Sequence, residues 1–322
     1  ILLAYQFRKS ILKYYKDIHF DLILYSTPPI TFTQVIHDIK KRDNAKTYLL
    51  LKDIFPQNAV DLGLFSKKGL IHNYFKRKEK KLYKVSDVIG CMSPANVKFV
   101  LAHNREIDPK CVEVCPNSVE VETKLPYVDK TKIRSKFGIP SESVAFIYGG
   151  NLGKPQGLDF LLHVLDTNRD KKDRYFLVVG SGTEYGKILQ WFEENKPENA
   201  QLLQALPKQD YDALVQSCDV GLIFLDPRFT IPNYPSRLLS YLEYKMPVLM
   251  ATDINTDIGS IAEENGYGLW CENGDLNQFN FLVDKLTSDK NLRIQMGEKG
   301  YKFLEDNYTA EKSYEIIMKH FE

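Results

Sequence analysis

No run of about 18 consecutive apolar residues occurs in the 322-residue chain, so nothing in it should span a bilayer as a helix. The opening "ILLAYQF" is short and runs straight into basic helical sequence, which does not read as a signal peptide. There are only five cysteines (Cys91, Cys111, Cys115, Cys218 and Cys271), odd in number and scattered. That excludes a disulfide framework and fits a reducing cytosol. Cys111 and Cys115 have no second pair or nearby histidine, so they read as thiols beside a strand rather than metal ligands. None of the six histidines forms a pair at ligand spacing, and His37, His163 and His320 read as structural. A Walker loop is also missing, because no Gly-Lys-Ser/Thr follows the glycines. The net charge of +1, without a recognition motif, makes nucleic acid a poor partner.

What is present is ordinary in amount and uneven in placement. Apolar residues make up 43% and charged residues 26%, as in a globular protein with full cores. Residues 1–119 carry 20 Lys/Arg against 11 Asp/Glu, and the remainder 23 against 31, a basic half joined to an acidic one. Short apolar β-branched runs such as "DLILYST", "TYLLLKDIF", "VAFIYGG", "YFLVVGSG" and "VGLIFLD" alternate with helical patterns. This predicts the α/β class, with two doubly wound parallel sheets and a charged connector over roughly 118–143. The first half opens on a helix, "YQFRKSILKYYKDI", and the chain begins with Ile, so its opening strands are expected to be missing.

The segment "FIYGGNLGKPQGLDFLL" sets Gly149, Gly150, Gly153 and Gly157 between a strand and a helix. Such a turn lets the backbone approach an anion, or simply makes a tight connection. The dinucleotide fingerprint would need G-x-G-x-x-G and an acid ending the next strand, which instead ends in Gly180 and Gly182. Further strand ends carry turn signals at 224–237 and 250–259. In the first of these, Ser236 reads as the cap of "SRLLSYLEYK" with Arg237 in its first turn, a seat for a diphosphate or a solvated surface charge.

The segments "YGGNLGKPQGLDFLL", "YPSRLLSYLEYKMPVLMATD" and "EENGYGLWCENGD" resemble the donor-binding domain of family 4 glycosyltransferases. "STPP", "KDIFPQNAVDLGLF" and "CPNSVEV" are similar to the bacterial subgroup that builds capsule, exopolysaccharide and O-antigen. The resemblance implies a GT-B fold, two doubly wound Rossmann-like domains with a cleft between them. It divides the chain into an acceptor-side domain (1–119), a nucleotide-sugar domain (120–300) and C-terminal helices (301–322) packing back toward the first domain. It implies a retaining transferase of hexosyl or N-acetylhexosaminyl type, acting on a saccharide or lipid-linked acceptor, with a nucleotide-sugar donor, no cofactor and no metal. The protein would be cytoplasmic and peripheral at the inner face of the membrane. A nucleotide-sugar 2-epimerase and a non-catalytic binder are the alternatives.

Carried over position by position, the resemblance places Gly149, Gly150, Asn151, Gly153 and Gly180 near the donor, with Lys154 and Arg237 as cations on its diphosphate. Asn151 and Gln156 stand where many members have Arg and Lys, and Pro232 and Ser240 where they have two glutamates. Glu243 could take over the ribose or be a surface acid. Asp253 and Asp257 would lie near the sugar or cap the following helix. Leu206 would rest against the base, and Tyr234 and Ser236 would flank the donor. Asp53 would face the sugar hydroxyls or act as a cap. The D-x-D at Asp210 and Asp212 reads as a helix first turn rather than a metal site. Residues 67–84 hold eight Lys/Arg and one Glu among apolar residues, a basic amphipathic helix that would rest on a membrane or form a solvated face.

Overall fold

The computed structural model describes residues 2–121 and 127–321; residues 122–126 of the expected connector lie outside that set. The chain forms two compact units. Unit 1 comprises Ile1–Asn117, Phe229–Tyr234 and Ser313–Glu322, and unit 2 comprises Ser118–Arg228 and Pro235–Lys312.

In unit 1 the strands are β1 (Leu22–Ser26), β2 (Lys46–Leu51), β3 (Val88–Cys91) and β4 (Val112–Val114). They are joined parallel in the order β1-β2-β3-β4, so the sheet winds one way among the described residues. Its helices are α1 (Leu2–Tyr14), α2 (Thr33–Asp43), α3 (Gln57–Asp61), α4 (Leu70–Val85) and α5 (Pro94–His103). Tyr48, Leu49 and Leu51 are buried from β2, and Leu82 and Tyr83 of α4 close over the core. The amino ends of the strands are tied by Asp87, which accepts from Thr47 N and Oγ1 at 2.9 Å and from Lys40 Nζ at 2.7 Å. Residues 229–234, far away in sequence, belong to this unit. Phe229 and Ile231 join its core, Thr230 N donates to Asp61 at 2.8 Å, and Asn96 donates to the Pro232 carbonyl at 2.9 Å.

In unit 2 the strands are β5 (Val144–Asn151), β6 (Arg174–Ser181), β7 (Ala200–Leu203), β8 (Val220–Phe224), β9 (Val248–Thr252) and β10 (Gly268–Glu272). The helices are α6 (Lys130–Lys136), α7 (Leu158–Asn168), α8 (Tyr185–Asn195), α9 (Lys208–Ser217), α10 (Arg237–Glu243), α11 (Ile258–Glu264), α12 (Leu276–Ser288) and α13 (Lys290–Asn307); α14 (Ala310–Met318) begins in this unit and ends in the first. The order β10-β9-β8-β5-β6-β7 is parallel throughout and winds outward in both directions from β5. Burial on both faces explains the continuous apolar runs, and in β8 and β9 every residue is buried. Asp219 fixes the start of β8 against β5, pairing with Arg134 and accepting the Ala145 N–H at 2.8 Å.

A doubly wound sheet opens a crevice where its winding reverses, beyond the carboxyl ends of the strands. Here the reversal lies between β5 and β8, so the ends of β5 and its neighbours are where a site is expected.

Candidate donor-binding site

A cavity of about 600 Å³ occupies that place in unit 2. The end of β5 supplies Gly149, Gly150 and Asn151, and the end of β6 supplies Val179, Gly180 and Ser181. Ala205 and Leu206 after β7, Tyr211 of α9, and Ser236, Arg237 and Ser240 complete the wall. Among the described residues the lining therefore contains one cation and no carboxylate.

The glycines are required first by the protein's own packing. A Cβ at Gly149 would collide with the Tyr211 hydroxyl, and one at Gly180 with the carbonyl of Gly150. Gly150 has φ +128°, a backbone conformation that side-chain-bearing residues rarely adopt, and Arg237 lies over it. Gly157 is the left-handed residue before α7 and packs against Asp226 and Asn273. The Gly149 N–H is already engaged, donating to the Tyr241 hydroxyl at 3.3 Å, which in turn donates to the Ile147 carbonyl at 3.1 Å. That amide is not available to an anion.

Arg237 is held from two sides. Its guanidinium stacks on the Tyr148 ring, 4.4 Å from the centroid, and its Nη2 donates to Gln156 Oε1 at 2.9 Å. Nη1 is buried and has no hydrogen-bond partner among the described residues. A buried guanidinium N–H without an acceptor is costly, and a ligand oxygen would relieve that cost. Tyr148 is itself fixed, its hydroxyl donating to the Asn151 carbonyl at 2.7 Å. Burial raises the Tyr211 hydroxyl to about 12, so it stays a neutral hydrogen-bonding group at the cavity wall.

Residues 129–303, more than half of the chain, match the family described as glycosyl transferases group 1. The chain belongs to the glycosyl transferases group 1 family. It is 22% identical over 282 residues to the probable glycosyltransferase WbjE of Pseudomonas aeruginosa, covering 83% of this chain and 66% of that protein. It is also 22% identical over 275 residues to an Escherichia coli UDP-Gal:alpha-D-GlcNAc-diphosphoundecaprenol alpha-1,3-galactosyltransferase, covering 80% and 68%. The chain thus spans about two thirds of the length of these relatives. The crystal structure of Anabaena HepE in complex with UDP-glucose superimposes with a TM-score of 0.76 at 13% identity, over 99% of this chain and 81% of that one. The shared fold is GT-B.

Within this group 1 chain, the cavity brings together eight of the expected residues: Gly149, Gly150, Asn151, Gly180, Leu206, Ser236, Arg237 and Ser240. Lys154 is exposed in a 3₁₀ turn with Gly153 before it, and neither lines the cavity. Asp253 does not line it either: its buried carboxylate accepts from Asn255 N at 2.8 Å and from Thr256 N and Oγ1 at 2.9 Å. Burial pushes that carboxyl up against those bonds, so its work is to shape the loop. Glu243 closes the far end of α10. Asp53 and Tyr234 belong to unit 1; burial raises the Asp53 carboxyl, and its N–H donates to Thr27 Oγ1 at 3.1 Å.

Two expectations need correction. Ser236 stands at the N-cap position of α10 but makes no side-chain cap bond, and α10 has only seven residues. The positive character there comes from the Arg237 side chain rather than from a capped helix end. Arg237 is also no solvated surface charge, given its stacking and its buried Nη1. The D-x-D acids are both paired with lysines, Asp210 of the first turn of α9 with Lys136 of α6 at 2.9 Å and Asp212 with Lys208 of its own helix at 2.6 Å. Between them sits Tyr211, a wall residue that sequence reasoning missed, as it did Val179, Ser181 and Ala205. Gln156 was noticed only as a missing charge, whereas it is the acceptor that aims Arg237. No sequence signal marks this role for either: a bulky tyrosine facing a bare glycine is a pairing that only the fold displays.

Proposed function

We propose that this chain transfers a sugar from a nucleotide-diphosphate donor to a saccharide acceptor in bacterial surface-polysaccharide synthesis. The observation that carries the reading is the unpartnered buried Nη1 of Arg237 in a cavity with no carboxylate. A diphosphate oxygen would satisfy it, and charge growing on the departing diphosphate would strengthen the bond in the transition state. Tyr148 and Gln156 hold the guanidinium in place beforehand, so little reorganisation is needed. Ser236 and Ser240 offer hydroxyls to the remaining oxygens. No resident metal enters this reading, and no protein nucleophile is assigned, in line with same-face attack and retention of anomeric configuration.

The relative named for UDP-Gal and a diphosphoundecaprenol-linked sugar supports a lipid-linked acceptor and a hexosyl donor. A peripheral, cytoplasmic-face position accords with this. α4 presents Leu70, Ile71 and Tyr74, which are 89%, 58% and 40% exposed, among its lysines. No helix among the described residues is long and apolar enough to cross a membrane.

The test is a thermal-unfolding screen against UDP, GDP, dTDP and CMP, followed by product analysis with the sugar form of whichever nucleotide binds. A nucleotide at roughly 100 times its dissociation constant stabilises by about 2.7 kcal/mol. No shift with any of them would sink the donor site, and binding without transfer to any lipid-linked saccharide would leave a binding protein. Transfer with retention that persists after chelation of divalent ions completes the expected result.

A further inference from the structure

Along α4, Leu70, Tyr74, Arg77, Lys81 and Lys84 recur at alternating spacings of four and three, which places them on one exposed face. The carboxyl-terminal part of that face, Lys81 and Lys84, forms one wall of a groove of about 520 Å³. The facing wall is α2, with His37, Lys40 and Lys41. Among the described residues no carboxylate lines the groove. The acids closest in sequence to its α2 and α4 walls are already committed: Asp38 to Arg8 at 2.5 Å and Gln34 at 2.8 Å, with the His37 ring at 3.7 Å, Asp43 to Arg42 at 2.6 Å, Glu79 to Lys76 at 2.5 Å, and Asp87 to Lys40 at 2.7 Å. Among the described residues no ion pair is recorded for Lys41, Lys81 or Lys84. At the amino end of α2, Thr33 also lines the groove, and its buried Oγ1 has no hydrogen-bond partner among the described residues.

Several ammonium groups converging on a concave surface without counter-charges repel one another, and they focus positive potential into it. A compact anion with several acceptor oxygens relieves both that repulsion and the unpaired hydroxyl. Lysine suits phosphate as a point charge, where a carboxylate ligand would more often call for arginine's planar fork. We propose that the groove between α2 and α4 is a phosphate-binding site, with Lys41, Lys81 and Lys84 as its cations and Thr33 as a hydroxyl donor. Exposed Leu70, Ile71 and Tyr74 continue the α4 face toward its amino end, beside Arg77 and Lys78, so the chemistry suits a phosphate carrying an apolar tail as well as a free phosphate ester. The site does not rest on the transfer reading, since nucleotide binding at Arg237 is measured separately.

The test uses the whole chain in two arms. In the first, flotation with phosphatidylglycerol-containing vesicles is compared with flotation on pure phosphatidylcholine. In the second, inorganic phosphate and glycerol phosphate are titrated while lysine side-chain ammonium resonances are followed by NMR. The variant is Lys41→Gln/Lys81→Gln/Lys84→Gln, and a control, Lys171→Gln/Lys172→Gln/Lys302→Gln, removes the same charge elsewhere. Vesicle binding weakened tenfold or more by the first variant and not by the control supports the site with a lipid headgroup as ligand. No vesicle binding, but phosphate-dependent shifts that the first variant abolishes, supports it with a soluble ligand. Absence of both responses, or equal loss in the two variants, overturns it. An unchanged circular dichroism spectrum and thermal unfolding midpoint in the first variant show that it is folded.

Discussion

The two sheets differ in winding, and the polar groups at their strand ends differ with it. The sheet of unit 1 runs β1-β2-β3-β4 in chain order, and several polar groups at its strand ends are paired with one another. Lys52 bonds Asn117, Thr27 Oγ1 is shared with the backbone of Lys52 and Asp53, and Asp87 ties Thr47 to Lys40. The sheet of unit 2 reverses at β5, and there Arg237 keeps a buried N–H without an acceptor. Pairing within the protein makes a scaffold, whereas an unmet buried donor marks a place prepared for something else. The contrast teaches that the strand ends of the two units should be judged by what is left unsatisfied, not by which residue types are present.

The largest expected effect tests the tight backbone of the second sheet. Gly180→Ala sets a methyl against the Gly150 carbonyl, which is main chain and cannot swing aside. It should cost about 3 kcal/mol or more in urea unfolding. A cost below about 1 kcal/mol would show that β5 and β6 can part there. Next in size is Arg237→Gln, which keeps a polar side chain but removes the charge. Nucleotide-diphosphate binding should fall by roughly 10- to 100-fold, as expected when a charge-assisted hydrogen bond is lost. Global stability should be unchanged or slightly higher, because the unpaired donor goes too. Equal binding by this variant would erase the distinction between the two sheets.

The first sheet has its own test, in the pH dependence of Asp87→Asn. Burial acts to raise the Asp87 carboxyl, but the hydrogen bonds from Lys40 and Thr47 outweigh it and hold it below the usual range. A depressed carboxyl contributes stability that is present above its unfolded pKa and is lost as pH falls through its folded one. The variant should therefore be less stable by about 1 kcal/mol at neutral pH. The gap to the unchanged chain should close below the ordinary carboxylate range, in unfolding curves taken at pH 7 and pH 3. A gap that stays constant would mean that geometry rather than charge ties those strands.

The smallest effect separates a cap from a residue merely in its place. Asp289 caps α13 and accepts the Leu292 N–H at 2.8 Å, so Asp289→Ala should cost about 1 kcal/mol. Ser236→Ala should cost only a few tenths, since its hydroxyl makes no cap bond. A thermal shift of equal size in both would restore Ser236 as a cap.

The sequence alone determined the α/β class, because continuous apolar runs and alternating helical patterns follow from burying parallel strands on both faces. It also pointed to the strand ends of the second sheet where the cavity lies, since glycines and turn residues gather there. Local chemistry such as the Lys208–Asp212 pair of α9 was equally legible, because its two partners lie four residues apart on one helix. Only the tertiary structure decided that Tyr211 faces Gly149, that Gln156 and Tyr148 aim Arg237, and that residues 229–234 belong to the first unit. It likewise took Asp253 and Lys154 off the cavity wall, although both belong to loops beside it in sequence. Those outcomes depend on contacts between residues far apart along the chain, and periodicity and motif spacing carry no record of which distant side chain will arrive.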